Sequence, residues 1–343
     1  MPARFTISLL LANVVLLSNS YAQQAACPPV STAQIVSDVV VSGARVDDGY
    51  GGWTSCGVHG QVYRNSSGRL NSIQRVSPDG STLVFGLPDD VWPATMAPAG
   101  SGLNVLTSQY SRTEGRMYEM YHFDEQANVI THRRLHLTFF PERMAVTSSG
   151  RAVVVGHFPE DFDKRDDWKY GGAIFDADDQ LIRGFDLPLP PGGGGWTFAS
   201  PMLGGNGAAY VMLHANAGEQ NAIATISESG NEILNIKFIA APPDTPRRHG
   251  NIWLFGPGVA VEEYIFPAER PHGTDRFDEY DLSTGEKIAT KTAPPTGFQF
   301  GCYLGDEESM LANSVRTDPA RHLSPNALRL VTSKLKLLNG QEP

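Results

Sequence analysis

The chain has 343 residues, with 37 acidic against 27 basic side chains and a formal net charge of −10. That balance argues against nucleic-acid binding, which needs clustered Lys and Arg; Arg133-Arg134 and Arg247-Arg248 are isolated pairs. Charged residues make up 19% while Gly (35) and Pro (24) are frequent, a composition suited to many short strands joined by tight turns.

Residues 1–22 read as a secretory signal. Arg4 supplies the positive start, Phe5–Leu17 the apolar stretch, and Ser20-Tyr21-Ala22 the small residues before cleavage at Gln23. The apolar stretch is shorter than the ~20 residues of a membrane span. The expectation is an exported protein, periplasmic or extracellular, without a transmembrane segment. Cys27 after Gln24-Ala25-Ala26 offers lipidation as the alternative, without the usual Leu three residues before it. Residues 23–343 are expected to form one domain.

Five stretches then repeat one pattern of strand, polar turn and strand. They are Ile73–Pro88, Tyr121–Leu137, Ala173–Pro188, Ala224–Ile239 and Glu279–Thr292. Their turns centre near Asp79, Gln126, Asp178, Ser229 and Thr284, a period of roughly 50 residues. Two further apolar strands follow each hairpin, for example Glu142–Thr147 and Ala152–Phe158, or Trp196–Leu203 and Ala208–His214. An all-β fold with this period is predicted to be a β-propeller of four-stranded antiparallel blades. Six blades fit best, with seven as the alternative.

The first blade starts near Trp53. The last holds Phe298–Leu304, Ser309–Val315 and the tail Leu328–Leu338, and lacks an outer strand. The N-terminal strand Ile35–Ser42 is expected to supply it and so close the ring, sparing the end blades an unpaired edge. Cys56 and Cys302 fall at matching places on the first and last inner strands, which predicts a Cys56–Cys302 disulfide. The cysteine count of three is odd, and Cys27–Cys56 is the rival pairing.

The stretch Ile73–Pro88, with its Ser77-Pro78-Asp79-Gly80 turn and closing Leu87-Pro88, resembles the repeats of streptogramin-lyase-like and NHL-type propellers. Phe175-Asp176 through Leu187-Pro188 is a weaker copy. The resemblance implies the fold. Streptogramin lyases use histidine and glutamate with a magnesium ion, but no motif here carries those residues across one by one. Sialidase-type Asp boxes and WD signatures are absent from the sequence.

The loops joining outer to next inner strand, and second to third strand, share one face, called the top. They are the long ones: Pro88–Pro93, Phe158–Gly172, Pro188–Trp196, Ala240–Gly250 and Pro267–Phe277. Strand ends and loops there gather Glu142, Arg143, His157, Trp196, His214, Arg247, His249 and His272, the candidate ligand-binding residues. Histidines and a carboxylate from adjacent blades suit proton transfer or a divalent metal, although no HxH or HExxH spacing is present. The commoner use of strand-end histidines is to hydrogen-bond loops. The acidic run 160–167 lacks the ordered spacing of an EF-hand, and Gly192–Gly195 lacks the Lys and following helix of a phosphate loop. No cofactor motif supports a quinone-dependent dehydrogenase. The expected function is therefore recognition of a protein, peptide or glycan by the top loops. The alternative is a metal-dependent lyase or hydrolase at the mouth of the central channel.

Overall fold

The computed structural model describes residues 34–42, 54–56, 61–65, 71–77, 79–158, 168–198, 202–215, 221–229, 233–239, 252–254, 259–264, 275–281, 284, 286–293, 299–303, 309–314, 327–334 and 338–339. After β1 (Gln34–Ser42), the chain lays down antiparallel meanders. The first sheet is β2 (Thr54–Cys56), β3 (Val62–Asn65), β4 (Ser72–Val76) and β5 (Thr82–Gly86). The second is β6 (Trp92–Ala99), β7 (Gly102–Ser111), β8 (Gly115–Phe123) and β9 (Val129–Leu135). The third is β10 (Phe140–Val146), β11 (Ala152–Phe158), β12 (Lys169–Phe175) and β13 (Leu181–Leu187).

In the fourth sheet the first strand is broken into β14 (Trp196–Phe198) and β15 (Leu203–Gly204), both pairing β16 (Ala208–Ala215). β17 (Asn221–Ser227) and β18 (Leu234–Ile239) complete it. The sequence predicts a single strand over Trp196–Leu203; Met202 is not in a strand, and residues 199–201 lie outside the described set. The fifth holds β19 (Ile252–Leu254), β20 (Val259–Tyr264), β21 (Asp275–Asp281) and β22 (Lys287–Ala293). The last holds β23 (Gln299–Tyr303), β24 (Ser309–Ser314) and β25 (Ala327–Lys334), with β1 paired antiparallel to β25 from Gln34↔Lys334 to Ser42↔Ala327. The tail does not run on as one strand to Leu338: β26 (Leu338–Asn339) leaves the last sheet and pairs β22 of the fifth.

The first strands stand side by side in succession: β2 by β6, β6 by β10, β10 by β15 and β15 by β19. Meandering sheets that meet radially along their inner strands make an all-β propeller. β23 also comes within 8 Å (Cα to Cα) of β2.

The core lies between sheets, because each blade buries both of its faces. Along β11, Val153 and Val155 pack toward the fourth sheet among Ile174, Phe198, Val211 and Ile226. Val154, one residue out of phase, packs toward the second among Leu106, Met120 and Phe175. Between the first two sheets sit Tyr63, Ile73, Phe85, Val105 and Phe123, with Phe85 edge-on to Phe123 at 5.5 Å. This two-sided burial is why the second strands read as unbroken apolar runs.

The polar turns have a shared chemistry. Asp124 Oδ1 accepts from the Gln126 and Asn128 N–H groups, and Asp176 Oδ1 accepts from those of Asp178 and Gln180. Each Asp closes its own turn, an Asx-type arrangement. The residue before the last turn position takes a left-handed backbone, φ 67° at Ala127 and 61° at Asp179. These bottom turns also fasten neighbouring sheets. His122 on β8 presents Nε2 to both Asp179 oxygens at 2.9 and 2.8 Å, while its Nδ1 meets Asn104 Oδ1 at 3.0 Å. One junction later, Ser149 Oγ donates to Glu228 Oε1 at 2.8 Å and Arg151 lies 3.7 Å from Glu228 Oε2. Among the described residues no helix is long and apolar enough to cross a membrane.

Candidate functional site

The inner strands carry a recurrent bulge near their top ends. In β10 the register slips between Pro141 and Arg143, so Glu142 is the extra residue; in β6 it slips between Pro93 and Thr95, leaving Ala94 extra. A bulge re-aims the side chain it carries. Both begin aromatic-Pro, Trp92-Pro93 and Phe140-Pro141, and proline suits a position that donates no ladder bond. Opposite Pro141 stands Gly156, where a Cβ would run into the Phe140 carbonyl oxygen.

At this bulge the third sheet assembles a compact cluster. Glu142 Oε1 accepts the Nδ1–H of His157 at 2.6 Å. The His157 ring lies parallel to Trp168, with centroids 4.0 Å apart and planes 6° apart, and is flanked across the ladder by Phe140 at 5.4 Å. Arg116, exposed on β8 of the second sheet, sets its guanidinium 4.5 Å above the Phe140 ring. The stack thus runs Arg116, Phe140, His157, Trp168 along the top rim. The His157 side chain is 13% exposed and Glu142 28%. Among the described residues no hydrogen-bond partner is found for His157 Nε2.

Arg143, next along the bulge, turns the other way. Its Nη1 donates to the Glu142 carbonyl at 2.8 Å and its Nη2 to the Phe198 carbonyl of the fourth sheet at 3.0 Å. Burial pulls the guanidinium below its ordinary value, with Glu142 opposing that shift. On the rim of the second sheet, burial raises the Tyr118 phenol, and a hydrogen bond with Arg116 works against it.

Of the sequence candidates, Glu142 and His157 are therefore brought together, while Arg143, their neighbour along the bulge, reaches to the fourth sheet. Trp196 is a packing residue: it is 3% exposed, and its Nε1–H donates to the Pro188 carbonyl at 2.7 Å. His214 is buried on β16 with Nδ1 2.8 Å from Asn221 Oδ1. Its ladder partner Thr197 adjoins the Phe198 that Arg143 holds. Arg247, His249, His272 and the acidic run 160–167 lie outside the described residues. Cys56 and Cys302 lie on β2 and β23, with their side chains outside the described set. Among the described residues no three His, Cys, Asp or Glu side chains gather as a metal-ligand set.

Sequence reasoning missed Arg116 and Phe140. The signal available for Phe140 was its match with Trp92 at the head of a repeated aromatic-Pro strand. Arg116 gave none, because its role depends on how two sheets meet.

No family model matches the chain, and no curated protein does. Among solved structures, the chain is similar to a member of the DUF4221 family from Bacteroides vulgatus, at 10% identity over 89% of this chain and 98% of that one, TM-score 0.49. It is also similar to the PQQ-bound aldose sugar dehydrogenase from Streptomyces coelicolor, at 11% identity over 88% and 99%, TM-score 0.48. A protein of unknown function from Bacteroides caccae aligns at 11% identity over 70% and 81%, TM-score 0.40. At such identities the likeness concerns the fold alone.

Proposed function

We propose that the protein is an exported six-bladed β-propeller that binds a protein, peptide or glycan through its top face. The observation that carries this reading is the Glu142–His157 pair with its aromatic flanks. Where Phe140 pairs His157, the second sheet has Trp92 opposite Ser108, and Ala94 takes the place of Glu142. The repeat therefore builds this strand end without a carboxylate or an imidazole. Polar groups added at one blade of a repeat, on the face with the long loops, are spent on recognition rather than on folding.

The pairing of β1 with β25 and the approach of β2 to β23 support a six-bladed ring closed by the N-terminal strand, and with it a Cys56–Cys302 disulfide. Residues 1–22 support export.

The test is a binding screen of the mature protein on peptide and glycan arrays, followed by hydrogen-exchange mapping of each hit. Protection should fall on segments 140–143, 156–158 and 168–170. Protection confined to the bottom turns 124–128 and 176–180, or no hit at all, would sink the proposal. The second reading is a metal-dependent lyase or hydrolase, favoured by one feature: a carboxylate that fixes a histidine is also how metal-bound and proton-transferring imidazoles are oriented. A stoichiometric divalent ion in the dialysed protein, lost with His157→Ala, would select it.

A further inference from the structure

Two tryptophans hold equivalent places in the repeat and meet different fates. Trp196 heads β14, the first strand of the fourth sheet, and Trp92 heads β6, the first strand of the second. Each follows a Leu-Pro pair, Leu187-Pro188 and Leu87-Pro88. Before Trp196 the loop runs on through Leu189-Pro190-Pro191 and Gly192–Gly195. The Trp196 Nε1–H donates to the Pro188 carbonyl at 2.7 Å, and the residue is buried. Before Trp92 the loop is only Asp89-Asp90-Val91. There the Pro88 carbonyl accepts from the Val91 N–H at 3.1 Å and from Asn71 Nδ2 at 3.3 Å. Trp92 is left 48% exposed, and no described residue bonds its Nε1–H.

The surroundings of Trp92 suit the cover that its counterpart has. Trp92 stands opposite Ser108 in the ladder and Tyr110 lies two residues further along β7, so both rings are on one face. Aromatic side chains at such diagonal positions reach one another, and so reach one ligand. Tyr110 is 70% exposed and sits past the end of β6, where β7 pairs β8 alone. Arg116, opposite Tyr110, lies over Phe140, so this rim adjoins the Glu142–His157 pair. An indole N–H donates and accepts nothing, so it selects a ligand with a free acceptor. A proline-rich chain in polyproline II conformation has unbonded carbonyls, no N–H at its prolines, and compact apolar rings. The indole N–H takes a carbonyl and the exposed aromatic faces take the pyrrolidine rings. A sugar oxygen also accepts from an indole; the bond from Trp196 to Pro188 is what favours proline.

We propose that Trp92 and Tyr110, on the top rim of the second sheet, dock a proline-rich segment of a partner protein, one of whose carbonyls accepts from Trp92 Nε1–H. This step rests on the top-face binding reading and narrows its ligand to a peptide. Trp92 is the anchor, and it does for the partner's segment what Trp196 does for Pro188. The preset conformation of such a segment lowers the entropy lost on binding, so a shallow rim of two exposed rings holds it without a deep pocket.

The test uses the full mature protein on an array of proline-rich peptides and their alanine-for-proline versions, with a glycan array alongside, then calorimetry with the best proline-rich peptide. Trp92→Ala should weaken binding at least about tenfold. Trp92→Phe keeps an aromatic ring and loses the N–H, and should weaken it about threefold to tenfold. Tyr110→Ala should weaken binding and Tyr110→Phe should not. In the peptide, N-methylglycine keeps the tertiary amide of the contacting proline, so it should retain more binding than alanine does. Hydrogen exchange should show protection of segment 108–111 by the bound peptide. Both side chains are exposed, and thermal melts of each variant separate lost binding from lost folding. Hits confined to glycans or to proline-free peptides would overturn the proline-rich assignment while leaving the top-face reading intact. A proline-rich peptide that Trp92→Ala binds as tightly as wild type does would overturn it in the same way. Absence of every hit would overturn both.

Discussion

Asp179 tests whether the bottom turns clasp adjacent sheets. Its side chain is 2% exposed, and both oxygens accept from His122 Nε2 at 2.9 and 2.8 Å. A hydrogen bond to a charged group contributes about 1.5–3 kcal/mol net. Asp179→Gly removes it. The glycine also relieves the left-handed backbone, φ 61°, which aspartate tolerates better than most residues, so the gain is at most ~1 kcal/mol. Against that stands the extra freedom of the unfolded chain, about 0.5–1 kcal/mol. These two backbone effects nearly cancel, leaving a loss of ~1.5–3 kcal/mol. Asp179→Asn tolerates the same backbone and keeps one acceptor, so it should cost about half as much. His122→Ala should cost the most, ~3–5 kcal/mol, because it strands a buried carboxylate. The neighbouring Asp178 pairs with Arg133 across 3.6 Å at 78% exposure, and Asp178→Ala should cost under ~1 kcal/mol. Urea unfolding of the four variants and of the His122→Ala/Asp179→Gly double variant measures these values. Asp179→Gly within ~0.5 kcal/mol of wild type, or a double variant whose losses simply add, would refute the clasp.

Gly156→Ala drives a Cβ into the Phe140 carbonyl of the inner strand. It should cost at least ~1–3 kcal/mol and move Phe140 off His157, visible as altered aromatic circular dichroism. The Tyr121 phenol is pushed up to about 12, first by burial and then by Glu119, to which its hydroxyl donates at 3.0 Å. The folded state then holds this proton longer than the unfolded state does. Stability should therefore fall as pH rises from about 10 through about 12, and Tyr121→Phe should flatten that part of the curve. Ring closure predicts a Cys56–Cys302 peptide in non-reducing digests of the mature protein; a Cys27–Cys56 peptide or three free thiols would contradict it.

The blades were legible because each strand obeys a local rule. Alternation along Val153-Val154-Val155 sends successive side chains to different interfaces, and Asp124 and Asp176 close their turns with bonds only a few residues long. The pairing of Glu142 with His157 was less legible. Strict alternation along β10 does not survive the extra residue at Glu142, so the side-chain directions past Pro141 cannot be counted from the strand start. Contacts between sheets were not legible at all. His122 and Asp179 are 57 residues apart, and Arg116 meets Phe140 only because two sheets splay from a shared axis. Trp196 misled for a related reason. A tryptophan heading a strand reads equally as ligand platform or packing wedge, and the bond from its Nε1–H to Pro188 makes it the second.

The most direct test is the imidazole nitrogen spectrum of histidine-labelled protein, with His157→Asn to assign the resonance. The account predicts a proton on Nδ1, held by Glu142, and a ring resonance that moves when a peptide or glycan from the screen saturates the protein. A bare Nδ1, or a resonance indifferent to every such ligand, would contradict it.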